Sequence, residues 1–177
     1  MVENVPEKST PHTIERSVTV NSVASEGKRL KDEICSLLET HGFDPKDVFA
    51  VDLALEEAIV NAMKHGNQYD PATSVQIAYR VNGQRVDVYI KDQGPGFDME
   101  DLPDPLAPEN LERPSGRGVM LIKHYMTHVE YSPKGNEVKM TRLRKEAHEA
   151  ERERQEREQV QGVGDASRER ASSLMMG

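Results

Sequence analysis

The spacing of apolar positions changes several times along this chain, and each change marks an element. Residues 13–20 (TIERSVTV) alternate, with Ile14, Val18 and Val20 apolar, which is the pattern of an edge strand. From Val23 the period becomes helical. Val23, Leu30, Ile34, Leu37 and Leu38 gather on one side, Asn21 or Ser22 is placed to cap the start, and Gly42 stops the helix. Asp44-Pro45 opens a second helix, with a capping acid and a proline in the first turn, and this helix runs to Gly66-Asn67. After a turn at Tyr69-Asp70-Pro71, two alternating stretches, 74–80 and 85–91, read as strands. Asn82-Gly83 joins them, a dipeptide suited to a tight hairpin. Residues 92–115 follow no period. Pro95, Pro103, Pro105, Pro108 and Pro114 exclude a long helix or a central strand there, and so long a loop inside a compact domain points to function, for instance a lid. Gly116 opens a third helix, which offers Val119, Leu121, Ile122 and Tyr125 for packing. Strands 129–132 and 137–144 close a second hairpin around Pro133-Lys134-Gly135-Asn136. Beyond Lys145 there is no apolar stripe, so a charged, fraying helix and a disordered tail are expected. The order of elements predicts an α+β fold. It is a two-layer α/β sandwich whose mixed, mostly antiparallel sheet carries helices on one face. A leader (1–12), a domain (13–145) and a tail (146–177) divide the chain.

The second helix departs from a simple amphipathic pattern. Leu53, Glu57 and Asn61 are four apart and stack on one side, between apolar rows made by Leu55, Ile59, Ala62 and Met63 and by Ala54 and Ala58. A carboxylate and an amide placed one turn apart beside such rows are half buried, which costs free energy unless something pairs with them. Their oxygens suit a hard cation such as Mg²⁺ held together with substrate phosphates. His65 follows one turn later, at the helix C-terminus, and is a candidate for contact with the bound nucleotide, although a histidine there also serves as a partner of the helix dipole.

Two further stretches carry chemistry. Asp92-Gln93-Gly94-Pro95-Gly96 directly follows a strand. Gly94 and Gly96 permit close backbone approach, and Asp92 can accept a hydrogen bond from an adenine-like amine. Ser115-Gly116-Arg117-Gly118 precedes a helix, where exposed amides and the helix dipole favour an anion and Arg113 and Arg117 add charged donors. Read singly, these are an ordinary turn after a strand and an ordinary glycine-rich helix start.

Composition narrows the classes. The 177 residues allow one domain with a real core plus some tail, and with no Trp the core must be aliphatic. A net charge of −8, from 23 basic and 31 acidic residues without a long single-sign block, argues against direct nucleic-acid binding. The lone Cys35 cannot form an internal disulfide. The polar N-terminus has no apolar signal core and no later run approaches a membrane span, so a cytoplasmic protein without a membrane association is expected.

In combination the stretches are far more specific. A helix with E-x-x-x-N, a strand ending in D-x-G-x-G, a long loop and a G-x-G helix start arrive in that order. Here the sequence resembles the ATP-binding domain shared by gyrase, Hsp90, histidine kinases and MutL (GHKL). More closely it resembles the anti-sigma factor serine/threonine kinases within that group. The resemblance is carried by EEAIVNAMKHGN (56–67), DQGPGF (92–97) and PSGRGVMLI (114–122), and it spans roughly residues 12–144. It implies the histidine-kinase-like (Bergerat) ATPase fold and ATP with Mg²⁺ as cofactors. Asn61 would hold Mg²⁺, Glu57 would be the general base, and Asp92 would bond the adenine amine in a pocket shaped by Gly94 and Gly96. Gly116 and Gly118 would give amides to the phosphates. Sensing of the terminal phosphate falls to Arg113 or to Arg117, because Pro114 shifts Arg113 relative to the pattern of the resembled kinases. The implied partners are a sigma factor and its STAS-type anti-sigma factor antagonist, which would be phosphorylated as partners switch and transcription is regulated. Homodimers are common in this branch. The alternative is a non-catalytic regulatory module that binds a partner with or without nucleotide.

Overall fold

The computed structural model describes residues 12–98 and 117–154. The chain divides into two units, Met1–Leu143 and Arg144–Gly177. The first contains β1 (Ile14–Asn21), α1 (Ala24–Thr40), α2 (Pro45–Val60), a π-helical turn (Asn61–Gly66), β2 (Ser74–Val81), β3 (Arg85–Lys91), α3 (Gly118–Tyr125), β4 (His128–Tyr131) and β5 (Glu137–Leu143). In the second unit residues 145–154 form a helix.

The sheet order is β1-β2-β3-β5-β4, and every pairing among the described strands is antiparallel. The alternation seen in the sequence explains its two faces. Register sets Ile77 opposite Ile90, Tyr79 opposite Val88 and Val88 opposite Met140, and this row is buried. Helices cover it with Leu30, Ile34 and Leu38 from α1, Val51, Leu55 and Ile59 from α2, and Ile122 from α3. Each large aliphatic side chain taken out of water contributes about 1.5–3 kcal/mol. The opposite face, with Glu15, Arg80, Asp87 and Lys139, is charged, so the fold is the expected two-layer sandwich.

Ion pairs fasten the helical layer. Arg142 donates from Nε (2.9 Å) and Nη2 (2.7 Å) to Asp47 Oδ1 at the start of α2, and from Nη1 to the Tyr125 carbonyl at the end of α3 (2.7 Å). Lys31 of α1 bridges Asp52 and Glu56 of α2 at 3.0 and 2.8 Å. Among the described residues no helix is long and apolar enough to cross a membrane.

Three expectations are corrected. Neither Asn21 nor Ser22 caps α1: its N-cap is Val23, without a side-chain bond, because Ser22 is buried and its hydroxyl serves Thr73 and Asn67 instead. Asp44, by contrast, caps α2 as expected, accepting from the Lys46 and Asp47 amides. The second helix does not stay α-helical to Gly66. Its last six residues widen into the π turn, a geometry that recurs at functional sites. Asn82-Gly83 does join β2 to β3, but neither residue has the positive φ of a two-residue hairpin turn. Asn82 acts instead through Oδ1, which accepts from the Gln84 and Arg85 amides.

Candidate nucleotide site

Two clusters of expected residues lie at opposite ends of the π turn. The first is built by α2 and α3. Glu57 and Asn61, one helical turn apart, are half-buried, and Gly118 begins α3 against them. A Cβ at position 118 would lie 2.5 Å from Glu57 Oε2 and 3.2 Å from Asn61 Nδ2, so any larger residue there would push the Glu57 carboxylate from its place. Among the described residues the side chains of Glu57 and Asn61 make no hydrogen bond. A carboxylate and an amide held half-buried in this way are poised for an external partner.

The second cluster forms where β3 ends. The Asp92 amide donates to the Asn136 carbonyl (3.1 Å), and Asn136 Nδ2 donates to the Asp92 carbonyl (3.0 Å), so the backbone of Asp92 is clamped on both sides. Its buried carboxylate accepts from the Gly94 amide at Oδ1 (2.8 Å). Burial pushes this carboxyl above its ordinary value, against the opposing pull of the Gly94 amide and of Lys134. The close approach of backbone is tight here as well. A Cβ on Gly94 would lie 2.2 Å from the Gly66 carbonyl oxygen, and one on Gly66 would lie 2.4 Å from Asp92 Oδ1. Gly96 has φ +79°, and Lys134 in the β4–β5 turn donates from Nζ to the Gly94 carbonyl (3.0 Å). The Phe97 amide donates to the Lys134 carbonyl (3.1 Å), while Phe97 meets Tyr131 edge-on at 5.6 Å. Residues 92–97 are thus pinned at several points.

One residue that sequence reasoning missed joins these parts. Asn67 is buried at the end of the π turn. Its Nδ2 donates to Ser22 Oγ (2.8 Å) and to the Ser74 carbonyl (2.9 Å), and its Oδ1 accepts from the Gln93 amide (2.9 Å). Gln93 Oε1 in turn accepts from the Ser74 amide (2.9 Å). One amide side chain therefore ties α2 to β1, β2 and the loop after β3. The available signal was an asparagine directly after a helix-ending glycine; in the structure Gln68 and Tyr69, which follow it, both have φ 53°.

The remaining candidates are placed less centrally. His65 is exposed on the π turn and makes no hydrogen bond or ion pair among the described residues. Arg117 is half-buried at the N-cap of α3. Arg113 and Gly116 lie outside the described residues. Cys35 is no rival nucleophile: burial, then Asp52, pushes its thiol up to about 12. No cluster of three His, Cys, Asp or Glu side chains capable of holding a metal occurs among the described residues. An ion here would draw most of its ligands from phosphates and water, as Mg²⁺ commonly does, with a single amide oxygen from the protein. Asn61 fits that donor set.

The family model of the histidine kinase-like ATPase domain matches residues 23–142, which contain both clusters. Among curated relatives, the chain is 27% identical over 126 residues to a serine-protein kinase RsbW of Halalkalibacterium halodurans, covering 68% of this chain and 75% of that protein. It is 37% identical over 87 residues to an anti-sigma F factor of Anoxybacillus flavithermus, covering 47% of this chain and 58% of that protein. A crystal structure of the RsbU and RsbW domains of a Mycobacterium tuberculosis protein superposes with a TM-score of 0.50 at 16% identity. That superposition covers 73% of this chain and 32% of the longer one, and it supports the fold.

Proposed function

This chain belongs to the histidine kinase-like ATPase domain family, and from that premise we propose that it is an ATP-dependent protein serine/threonine kinase of the anti-sigma factor type. The observation that carries the reading is the placement of Glu57, Asn61 and Gly118 at one end of the π turn and of Asp92 at the other. In this reading the nucleotide spans the turn. Asp92 accepts a hydrogen bond from the adenine amine, in a pocket shaped by Gly94 and Gly96. Gly116 and Gly118 offer backbone amides to the phosphates at the start of α3. Asn61 would hold Mg²⁺, which would supply neutralisation of charge on the phosphates. Glu57 takes the proton from a serine or threonine hydroxyl of the acceptor protein. The hydroxyl oxygen bonds to the terminal phosphorus, the bond to the bridging oxygen breaks, and ADP leaves. Arg113 or Arg117 stabilises the charge that develops.

By likeness to its relatives, whose names are serine-protein kinase and anti-sigma F factor, we place the protein in partner switching. It binds a sigma factor, phosphorylates a STAS-type antagonist, and acts in the cytoplasm on transcription. Residues 13–145 make up the nucleotide domain. Incubation with radiolabelled ATP, Mg²⁺ and candidate antagonists tests this. Label should appear on an antagonist serine or threonine with wild type and vanish with Glu57→Gln. Normal ATP binding without transfer to any cognate antagonist would instead support a regulatory module that only binds.

A further inference from the structure

The end of the α2–α3 pair remote from the phosphates carries an aromatic patch that the proposed chemistry does not use. Phe49 on α2 is 57% exposed, the most exposed large apolar side chain among the described residues. It meets Tyr125 of α3 edge-on, with ring centroids 6.3 Å apart, and Tyr125 meets His124 at 5.0 Å. The two helices run antiparallel, since Gly118 abuts Glu57 while Tyr125 abuts Phe49. Phe49, Leu53 and Glu57 succeed one another at four-residue spacing along α2. Tyr125, Leu121 and Gly118 form the facing row on α3, and Leu53, Leu121 and Tyr125 are half-buried. Both rows therefore lead from the aromatic patch to Glu57, over eight residues or about 12 Å. An extended peptide covers that distance in three to four residues.

Exposed lysines flank the patch, and the acids nearest to it, Asp44 and Asp52, each already have partners. Lys46 precedes Phe49 by three positions, and Lys123 and His124 precede Tyr125; all three are exposed. Lys46 and Lys123 make no ion pair among the described residues, whereas the lysines of α1 are paired: Lys28 with Asp32, and Lys31 with Asp52 and Glu56. The acids of α2 are engaged elsewhere or lie at the far end: Asp47 pairs with Arg142, Asp52 and Glu56 pair with Lys31, and Glu57 faces Gly118. α3 has no acidic residue. Asp44 is engaged in capping α2.

We propose that the Phe49–Tyr125 patch docks the phosphoacceptor protein: it seats a bulky apolar side chain three or four residues from the acceptor serine, and Lys46 and Lys123 face acidic residues around it. This rests on the kinase reading, and it adds how that site selects its substrate. An exposed aromatic anchor ringed by charge has the composition of an interface hot spot, and the cations favour an acidic partner over a basic one.

The test uses the full-length protein. Because the acceptor is unidentified, the probes are short fluorescein-labelled peptides with one serine, a leucine or phenylalanine three or four positions away, and aspartates around them. Control peptides carry lysines instead. Anisotropy should show saturable binding of the acidic peptides. Phe49→Ala should weaken it about tenfold or more, and Phe49→Trp should restore it. Lys46→Glu with Lys123→Glu should turn the preference toward the basic peptides. Absence of peptide binding, equal binding by Phe49→Ala, or indifference to charge reversal would overturn the proposal. So would a wild-type dimer in sedimentation that Phe49→Ala converts to monomer, because the face would then belong to a second copy. MgATP titrated into the same samples separates the two levels. If ATP binds and the peptides do not, docking fails and the kinase reading stands. If ATP does not bind, the nucleotide reading itself fails.

Discussion

The two ends of the π turn are built by opposite means. Around Asp92 almost every polar group is already satisfied: Asn136 clamps its backbone, Gly94 bonds its carboxylate, and Asn67 and Gln93 lace the loop to β2. Around Glu57 the scaffold is two helix faces, with Gly118 at the start of α3 set against the Glu57 and Asn61 side chains. One end resembles a finished socket. The other holds polar groups half out of water with no hydrogen bond among the described residues. Rigid recognition and chemistry thus draw on different parts of the fold: hydrogen bonds fix the end expected to recognise a base, and the end expected to bear changing charge is left for the ligand to complete.

That contrast can be broken at several points, with effects of decreasing size. Glu57→Gln should lower phosphotransfer by about 10²–10⁴-fold, the usual contribution of a positioned base. Calorimetric affinity for MgATP should stay close to wild type, and a parallel loss of affinity would mean that Glu57 is a binding group. Asn67→Ala should act on the socket itself. It leaves several buried partners unmatched and should cost about 2–4 kcal/mol of stability in urea unfolding. A change below about 0.5 kcal/mol would show that water replaces the amide without penalty.

Asn61→Ala tests the other end and should show the reverse signature. Its amide has no partner to abandon among the described residues, so unfolding should be unchanged. MgATP binding should weaken by about 1.5–3 kcal/mol, the range for a bond to a charged group. The smallest effect expected is on pH dependence. Burial raises the Asp92 carboxyl above 3.8. The folded state therefore holds this proton more tightly than the unfolded state does, and the stability contribution of Asp92 declines as pH rises through that range. The ionised form is the better acceptor for an amine, so ATP affinity should begin to fall on acidification at a pH above 3.8. Asp92→Asn should flatten that dependence, and titrations across mildly acid pH read it out directly.

Much of this was legible in residue order, and the failures have physical causes. Alternation at Val75–Val81 and Val86–Ile90 fixed two strands and their buried face, because a period of two has no other reading when a sheet is covered on one side. The Glu57–Asn61 spacing placed both groups on one helix face, and that follows from helical geometry alone. The π turn could not be read, because six residues are too few to separate its period from that of an α-helix. Its widening accompanies a tertiary contact, the seating of Gly66 against Asp92 and Gly94. Ser22 fits a helix cap locally, but Asn67 takes it from 45 residues away. Asn67 itself passed for a helix stop, since its three partners come from segments that meet only in the folded chain.

The central claim is that one nucleotide bridges both ends of the turn. Calorimetric titration of MgATP into wild type, Asn61→Ala and Asp92→Ala tests it most directly. The expected result is binding by the wild type and weakened binding by each variant, with both variants still folded. Wild-type affinity in either folded variant, or no binding by the wild type, would contradict it.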